Sequence, residues 1–136
     1  NDKDCEVGYV IRFFPETFDL GKRIVKALQD RKIPAGMRGP EAGPDWHIYH
    51  WMFPITLKPY ADGPGCAFYC PLYTEKGGRI SYQRGDCPVA DDLFDRMINI
   101  NLNQWYTAED CREIATRIND ALAECCHIDP HGAPWC

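Results

Sequence analysis

The chain has 136 residues, a formal net charge of −5 and 45% hydrophobic residues. This length and hydrophobic content are typical of one compact domain with a single core, and they exclude a disordered chain. The acidic balance disfavours nucleic acids and anionic membranes as partners, because both attract clustered Lys and Arg, and no segment of the sequence is apolar for long enough to be a transmembrane helix.

The N-terminal part predicts a strand, a helix and an extended segment. Residues 6–14 are rich in β-branched and aromatic residues, which favours a strand buried on most of both faces. Arg12 interrupts this strand, and we expect it to pair at the strand end. Thr17 is a suitable N-cap for a helix to about residue 30, and Pro34 should end that helix before Ile33. The apolar face of the helix would contain Leu20, Ile24, Ala27 and Leu28.

The middle of the chain, residues 39–85, has no periodic pattern and contains many prolines and glycines. We expect loops and short extended pieces there. Its densest part is residues 45–51, DWHIYHW, where three large rings alternate with two imidazoles. Such polar tips need partners if the rings are buried.

A helix, a strand and a second helix are predicted for residues 86–123. Pro88 suits the first turn of a helix, and Asp91 and Asp92 add negative charge near its N-terminus. Residues 98–102 alternate apolar and polar, which indicates a strand with one buried face. Thr107 is a good N-cap for the last helix. Its apolar stripe would contain Cys111, Ile114, Ala115, Ile118 and Leu122.

Together these elements predict an α+β fold, with a small antiparallel or mixed sheet packed by two to three helices and a long irregular middle. We expect one domain over residues 1–136, with its core at about residues 6–123 and a cysteine-rich tail at 124–136.

Two segments resemble a known family. They read GYVIRFF with LGKRIVKALQDRKIPAG near the N-terminus, and DCPVADDLFDRMININLNQWYTAEDC towards the C-terminus. They are similar, in this order, to the C-terminal small domain of the DegT/DnrJ/EryC1/StrS family of PLP-dependent sugar and aminocyclitol aminotransferases. In that family a Cys-Pro helix start leads to a strand and then to a helix that opens with Thr, Glu and Asp. The glycine- and proline-rich middle and the residues after Glu124 have no counterpart there.

The resemblance implies a cytoplasmic, homodimeric enzyme of aminosugar biosynthesis that transfers an amino group from an amino-acid donor to a keto-sugar or keto-cyclitol. Its cofactor would be pyridoxal phosphate (PLP), which requires a lysine for the Schiff base. None of the six lysines lies in the family's context for that residue. The resemblance therefore implies that the lysine belongs to a large PLP-binding domain missing from this chain, and that the chain alone is inactive.

In that family the small domain helps to form the substrate pocket. We therefore expect substrate contacts from His47, Tyr49 and His50, with Arg38 and Arg84 as candidates for a substrate carboxylate or phosphate. The competing interpretation is that the two histidines are the polar ends of an aromatic cluster that packs against the missing domain.

Other interpretations of the chain stay open. A free-standing binding domain would use residues 46–51 as its contact surface. A secreted, disulfide-stabilised domain would pair the eight cysteines, although Cys87 and Cys111 fall inside amphipathic patterns, which favours a reduced chain. Asp45, His47 and His50 lack a further strong metal ligand, and the cysteines and histidines of the tail have no ordinary zinc-finger spacing.

Overall fold

The computed structural model describes residues 8–52, 70–78, 82–127 and 131. The described residues divide into two compact units. One contains the residues up to Pro40 and those from Leu93 onward, and the other is Glu41–Asp92.

The predicted α+β fold is confirmed by the described elements. The strands are β1 (Val10–Phe13), β2 (Ala35–Met37) and β3 (Ile98–Asn101). The helices are α1 (Phe18–Asp30), α2 (Pro71–Thr74), α3 (Pro88–Arg96) and α4 (Ala108–Cys125), with a 3-10 helix at Tyr49–Trp51. None of these helices combines the length and the apolar character needed to cross a bilayer.

The three strands form one antiparallel sheet in the order β1-β3-β2. Asn99 of the central strand lies opposite Arg12 of β1 on one side and opposite Gly36 of β2 on the other. A strand from the C-terminal part of the chain therefore inserts between two strands from the N-terminal part.

One face of this sheet packs against α1 and α4. The alternation predicted for β3 is confirmed, because Ile98 and Ile100 are at most 1% exposed. The core around them contains Ile24, Ala27, Leu28, Ile33, Ala35 and Ala121. Burial of each Ile or Leu side chain contributes roughly 1.5–3 kcal/mol, so this layer is the main source of stability in the unit.

The predicted boundaries of α1 are confirmed. The Thr17 hydroxyl accepts a hydrogen bond from the Leu20 N–H at 3.2 Å, as an N-cap does. At the other end, the Ile33 N–H donates to the Leu28 carbonyl, and Lys32 has a φ of 63° in the left-handed region. This turn is the Schellman type, which usually carries glycine where this chain has Lys32. It directs Ile33 into the core.

The last helix also begins where the sequence predicts. The Thr107 hydroxyl accepts from the Asp110 N–H at 3.2 Å, and the Asp110 carboxylate accepts from the Thr107 N–H at 2.8 Å. This reciprocal capping box satisfies two backbone donors at the helix start. The hydrogen bonds from Thr107 lower the pKa of Asp110.

Two predictions of burial in this unit are wrong. β1 is an edge strand and is not buried on both faces: Ile11 is 38% exposed, and the exposed Arg12 donates from Nε to the Asn99 side-chain oxygen at 2.9 Å. In α4, Cys111 and Ala115 of the predicted apolar stripe are exposed. In this helix only Ala121, in its second half, is fully buried.

Candidate functional site

Two of the predicted site residues meet a buried acid in the unit Glu41–Asp92. Tyr49 and His50 lie in the 3-10 helix Tyr49–Trp51, and Asp91 lies in the first turn of α3. The side chains of His50 and Asp91 are 9% and 7% exposed, and His50 Nδ1 lies 3.7 Å from Asp91 Oδ1. We call these three residues the Tyr49–His50–Asp91 cluster.

One carboxylate oxygen of Asp91 is fully engaged. Oδ2 accepts the Gly85 N–H at 2.7 Å and the Tyr49 hydroxyl at 2.9 Å. Gly85 has a φ of 98°, a conformation that glycine adopts without the steric penalty of a side chain. The turn before α3 thus directs a backbone donor at the acid.

The Tyr49 hydroxyl connects Asp91 to the neighbouring backbone. Its oxygen accepts the Cys87 N–H at 3.2 Å, and it also lies 3.1 Å from the Gln83 carbonyl. A hydroxyl has one proton to donate, and the charged Asp91 is both closer and the stronger acceptor. The phenol therefore donates mainly to the carboxylate.

The pKa of Tyr49 is raised above its ordinary value. Loss of hydration is the largest cause, and the carboxylate of Asp91 adds to it, whereas the hydrogen bond from the Cys87 N–H acts in the opposite direction. The phenol is therefore a stable proton donor at neutral pH.

The other half of the cluster has unused hydrogen-bonding capacity. Asp91 Oδ1 and His50 Nδ1 are both buried, and neither has a hydrogen-bond partner among the described residues. Their separation of 3.7 Å exceeds a normal hydrogen bond. A buried polar atom without a partner costs about 1–3 kcal/mol, so a pair that faces each other in this way is unusual in a core and typical of a site.

Aromatic neighbours fix the plane of the imidazole. The Tyr49 ring meets His50 edge to face, with centroids 5.0 Å apart and planes at 80°. The centroid of the Trp51 ring lies 5.5 Å from the centroid of the His50 ring. Ring contacts of this kind restrict the orientation of His50.

The remaining predicted site residues lie outside this cluster. His47 is 92% exposed, and its Nδ1 lies 2.9 Å from Asp45 Oδ1. Arg84 is exposed in the turn before Gly85. Arg38 belongs to the unit that contains the sheet.

Asp91 is the residue of the cluster that the sequence did not identify, because its position near a helix start already explained a carboxylate. The nearby rings supplied one signal: a tyrosine and two histidines in residues 45–51 need polar partners if they are buried. The helical spacing of Val89, Leu93, Phe94 and Met97 predicts a shared apolar side of α3, but Val89 is 72% exposed, so its predicted packing is wrong.

The described lysines do not fit a Schiff-base site for PLP. Lys22 pairs with Asp19 at 2.6 Å and Lys26 pairs with Asp30 at 2.7 Å on the outer face of α1. The other two described lysines, Lys32 and Lys76, are exposed. Lys3 and Lys58 lie outside the described residues.

Metal ligation and thiol state were also open after the sequence analysis. In the part of the chain that the structure describes, no three His, Cys, Asp or Glu side chains are grouped as metal ligands. The described cysteines, which are Cys70, Cys87, Cys111, Cys125 and Cys126, are free thiols. Most of the cysteine-rich tail, residues 128–130 and 132–136, lies outside the described residues.

The unit that contains the sheet has an open apolar groove of about 280 Å³ beside the edge strand. Its lining is formed by Ile11, Leu102, Tyr106, Cys111, Ile114, Ala115, Ile118 and Asn119. Trp105, next to the groove in sequence, is 78% exposed. The groove is the part of the α4 stripe that the sheet leaves uncovered.

Comparison with known proteins adds no relative: no protein-family model matches the chain, and no curated protein or solved structure matches it either.

Proposed function

We propose that the chain is the C-terminal small domain of a PLP-dependent aminotransferase of the DegT/DnrJ/EryC1/StrS type, which transfers an amino group to a keto-sugar or keto-cyclitol. The observation that supports this most is the sheet. The two segments that carry the resemblance are separated by the whole irregular middle, yet they form one sheet, and the second supplies its central strand.

In this proposal the chemistry is divided between two domains. The Schiff-base lysine and most of the PLP site belong to a large domain outside this chain, in agreement with the surface positions of the described lysines. PLP supplies the electron sink of the reaction when it is bound. The small domain binds and orients the substrate, and the isolated chain has no transaminase activity.

The substrate contacts are proposed to come from the irregular middle. The Tyr49–His50–Asp91 cluster offers a held imidazole for a polar group of the sugar or cyclitol. Arg84 and Arg38 remain candidates for a carboxylate or phosphate of the substrate. His47 would contribute from an exposed position beside Asp45.

The partner of the small domain is proposed to cover the apolar groove beside Ile11 and α4. A surface whose lining is almost entirely apolar is normally covered in the functional protein. The partner would be the large domain, within a homodimeric, cytoplasmic enzyme.

The test begins with the messenger RNA that encodes this chain. The frame upstream of Asn1 is expected to encode a lysine-bearing PLP domain. The natural full-length protein should then carry PLP, and borohydride reduction followed by peptide mass spectrometry should find the cofactor on a lysine outside residues 1–136. A stop codon in frame shortly before Asn1, or PLP fixed to Lys22 or Lys26, would contradict the proposal.

A second candidate is a free-standing binding domain without catalysis. The observation that favours it is the exposure of two indoles in the irregular middle, because Trp46 is 71% and Trp51 is 39% exposed. Exposed Trp is enriched at binding surfaces. A coding frame that starts near Asn1 would favour this candidate over the aminotransferase.

A further inference from the structure

We infer that Asp91 holds His50 in the neutral tautomer that carries its proton on Nδ1, so that Nε2 is a hydrogen-bond acceptor for a hydroxyl group of the ligand. Asp91 is then a positioning residue, and His50 is the residue that contacts the ligand. The assignment of the tautomer needs only the geometry of the cluster, whereas the hydroxyl ligand rests on the proposed function.

The first step concerns the direction of the hydrogen bonds at Asp91. An ionised carboxylate accepts hydrogen bonds and donates none. Oδ2 already receives the Gly85 N–H and the Tyr49 hydroxyl, which leaves Oδ1 as an acceptor that faces His50 Nδ1. The atom that lies opposite Oδ1 should therefore be a donor.

The second step concerns the alternative tautomer. With the proton on Nε2, the lone pair of Nδ1 would face a carboxylate oxygen at 3.7 Å, and both atoms are buried without another partner. Repulsion would add to the cost of two unsatisfied atoms. With the proton on Nδ1, a small rotation closes a charge-assisted hydrogen bond.

The third step concerns Nε2, the second nitrogen of the ring. Nε2 lies across the imidazole from Nδ1 and points away from Asp91. In the assigned tautomer it carries a lone pair and no proton, so it binds a donor. Hydroxyl groups are the most numerous hydrogen-bond donors of a keto-sugar or keto-cyclitol. We therefore expect Nε2 to accept a hydrogen bond from a hydroxyl group of the ligand.

The experiment is nitrogen NMR on the ¹⁵N-labelled 136-residue chain, at a pH where the histidines are neutral. His50 is expected to show a protonated Nδ1 and an unprotonated Nε2. His127, which is exposed, provides the reference and should show the Nε2–H tautomer that free imidazole prefers. His50 in the Nε2–H tautomer in the natural chain would overturn the assignment, and this result requires no variant.

The Asp91→Asn variant keeps the shape of the side chain and should reverse the tautomer of His50. The Asn oxygen must still accept from Gly85 and Tyr49, so its amide nitrogen would face His50 as a donor. His50 should then change to the Nε2–H tautomer. The matched control is Asp45→Asn, which faces His47 at 2.9 Å and should leave the His50 signals unchanged. An unchanged tautomer in Asp91→Asn, with the Gly85 amide still protected from exchange, would also contradict the inference.

The ligand class is tested by adding myo-inositol, a neutral polyol, to the same samples. A shift of the His50 Nε2 signal in the natural chain that is reduced in Asp91→Asn supports the hydroxyl assignment. No shift at His50 would overturn that assignment and leave the tautomer intact. A coding frame without a PLP domain would instead remove the aminotransferase proposal, so the two failures are separable.

Discussion

Replacement of Asp91 by Ala should loosen the turn before α3, because the buried carboxylate accepts hydrogen bonds from the Gly85 N–H and the Tyr49 hydroxyl. The Tyr49 hydroxyl can redirect its proton to the Gln83 carbonyl, which already lies 3.1 Å away, so its loss is partly offset. The Gly85 N–H, which donates to Oδ2 at 2.7 Å, loses this acceptor. A hydrogen bond to a charged group contributes about 1.5–3 kcal/mol, and Gly85 is exposed, so water replaces part of this bond, which gives a net cost of about 2 kcal/mol.

Amide hydrogen exchange measures this local effect directly, because the exchange rate of a protected amide follows the free energy of local opening. A loss of about 2 kcal/mol corresponds to roughly 30-fold faster exchange at the Gly85 amide. The control is Asp92→Ala, since Asp92 is the adjacent acid and is exposed. It should change the rate at Gly85 by less than about 2-fold, within the usual effect of a surface substitution. Equal rates at Gly85 in the natural chain and in Asp91→Ala would refute the role given to the carboxylate.

Ile98→Ala should lower the free energy of unfolding by about 2.4 kcal/mol for the three buried carbon groups that it removes, and by up to about 5 kcal/mol with the cavity that it leaves. Ile11→Ala, at a 38% exposed position, should lower it by less than half as much. Urea unfolding followed by circular dichroism compares the two variants. The pKa of Asp110 is lowered by Thr107, so the capping box stabilises the chain above about pH 4, and this contribution is lost as the pH falls through the lowered folded pKa. Thr107→Ala should flatten that slope between about pH 2 and pH 5 in the same unfolding assay, and an unchanged slope would count against the capping box. The pKa of Tyr49 is raised, so its contribution is complete below about pH 10 and is lost as the pH rises through the folded pKa. In an ultraviolet titration, Tyr49→Phe should remove a phenol that ionises above the ordinary range of tyrosine, and an unchanged titration curve at high pH would contradict the raised pKa.

The elements predicted correctly are those whose signals are local. The Thr17 and Thr107 caps involve side chains and backbone groups within one turn, and the alternation in β3 is a property of consecutive residues. Because the partners in such patterns are separated by four residues or fewer, the sequence contains both halves of each interaction.

The candidate site was predicted only in part. The aromatic and imidazole content of residues 45–51 drew attention to Tyr49 and His50, and the structure brings both to Asp91. The acid itself was missed, since more than forty residues separate it from His50 and its local context indicated only a charge at a helix start. The prediction that Cys111 lies on the packed stripe of α4 is wrong for a related reason, because the burial of a helix face depends on which distant elements pack against it.

By itself, the sequence determined where α1, β3 and α4 lie and which faces of them are apolar, because caps and periodicity depend on neighbours in the chain. Only the tertiary structure decided that β3 lies between β1 and β2, that Ile11 and part of α4 stay open, and that Asp91 faces His50. These features depend on which distant surfaces meet, and the free energy of such contacts comes from burial and from hydrogen bonds between residues that no local pattern connects.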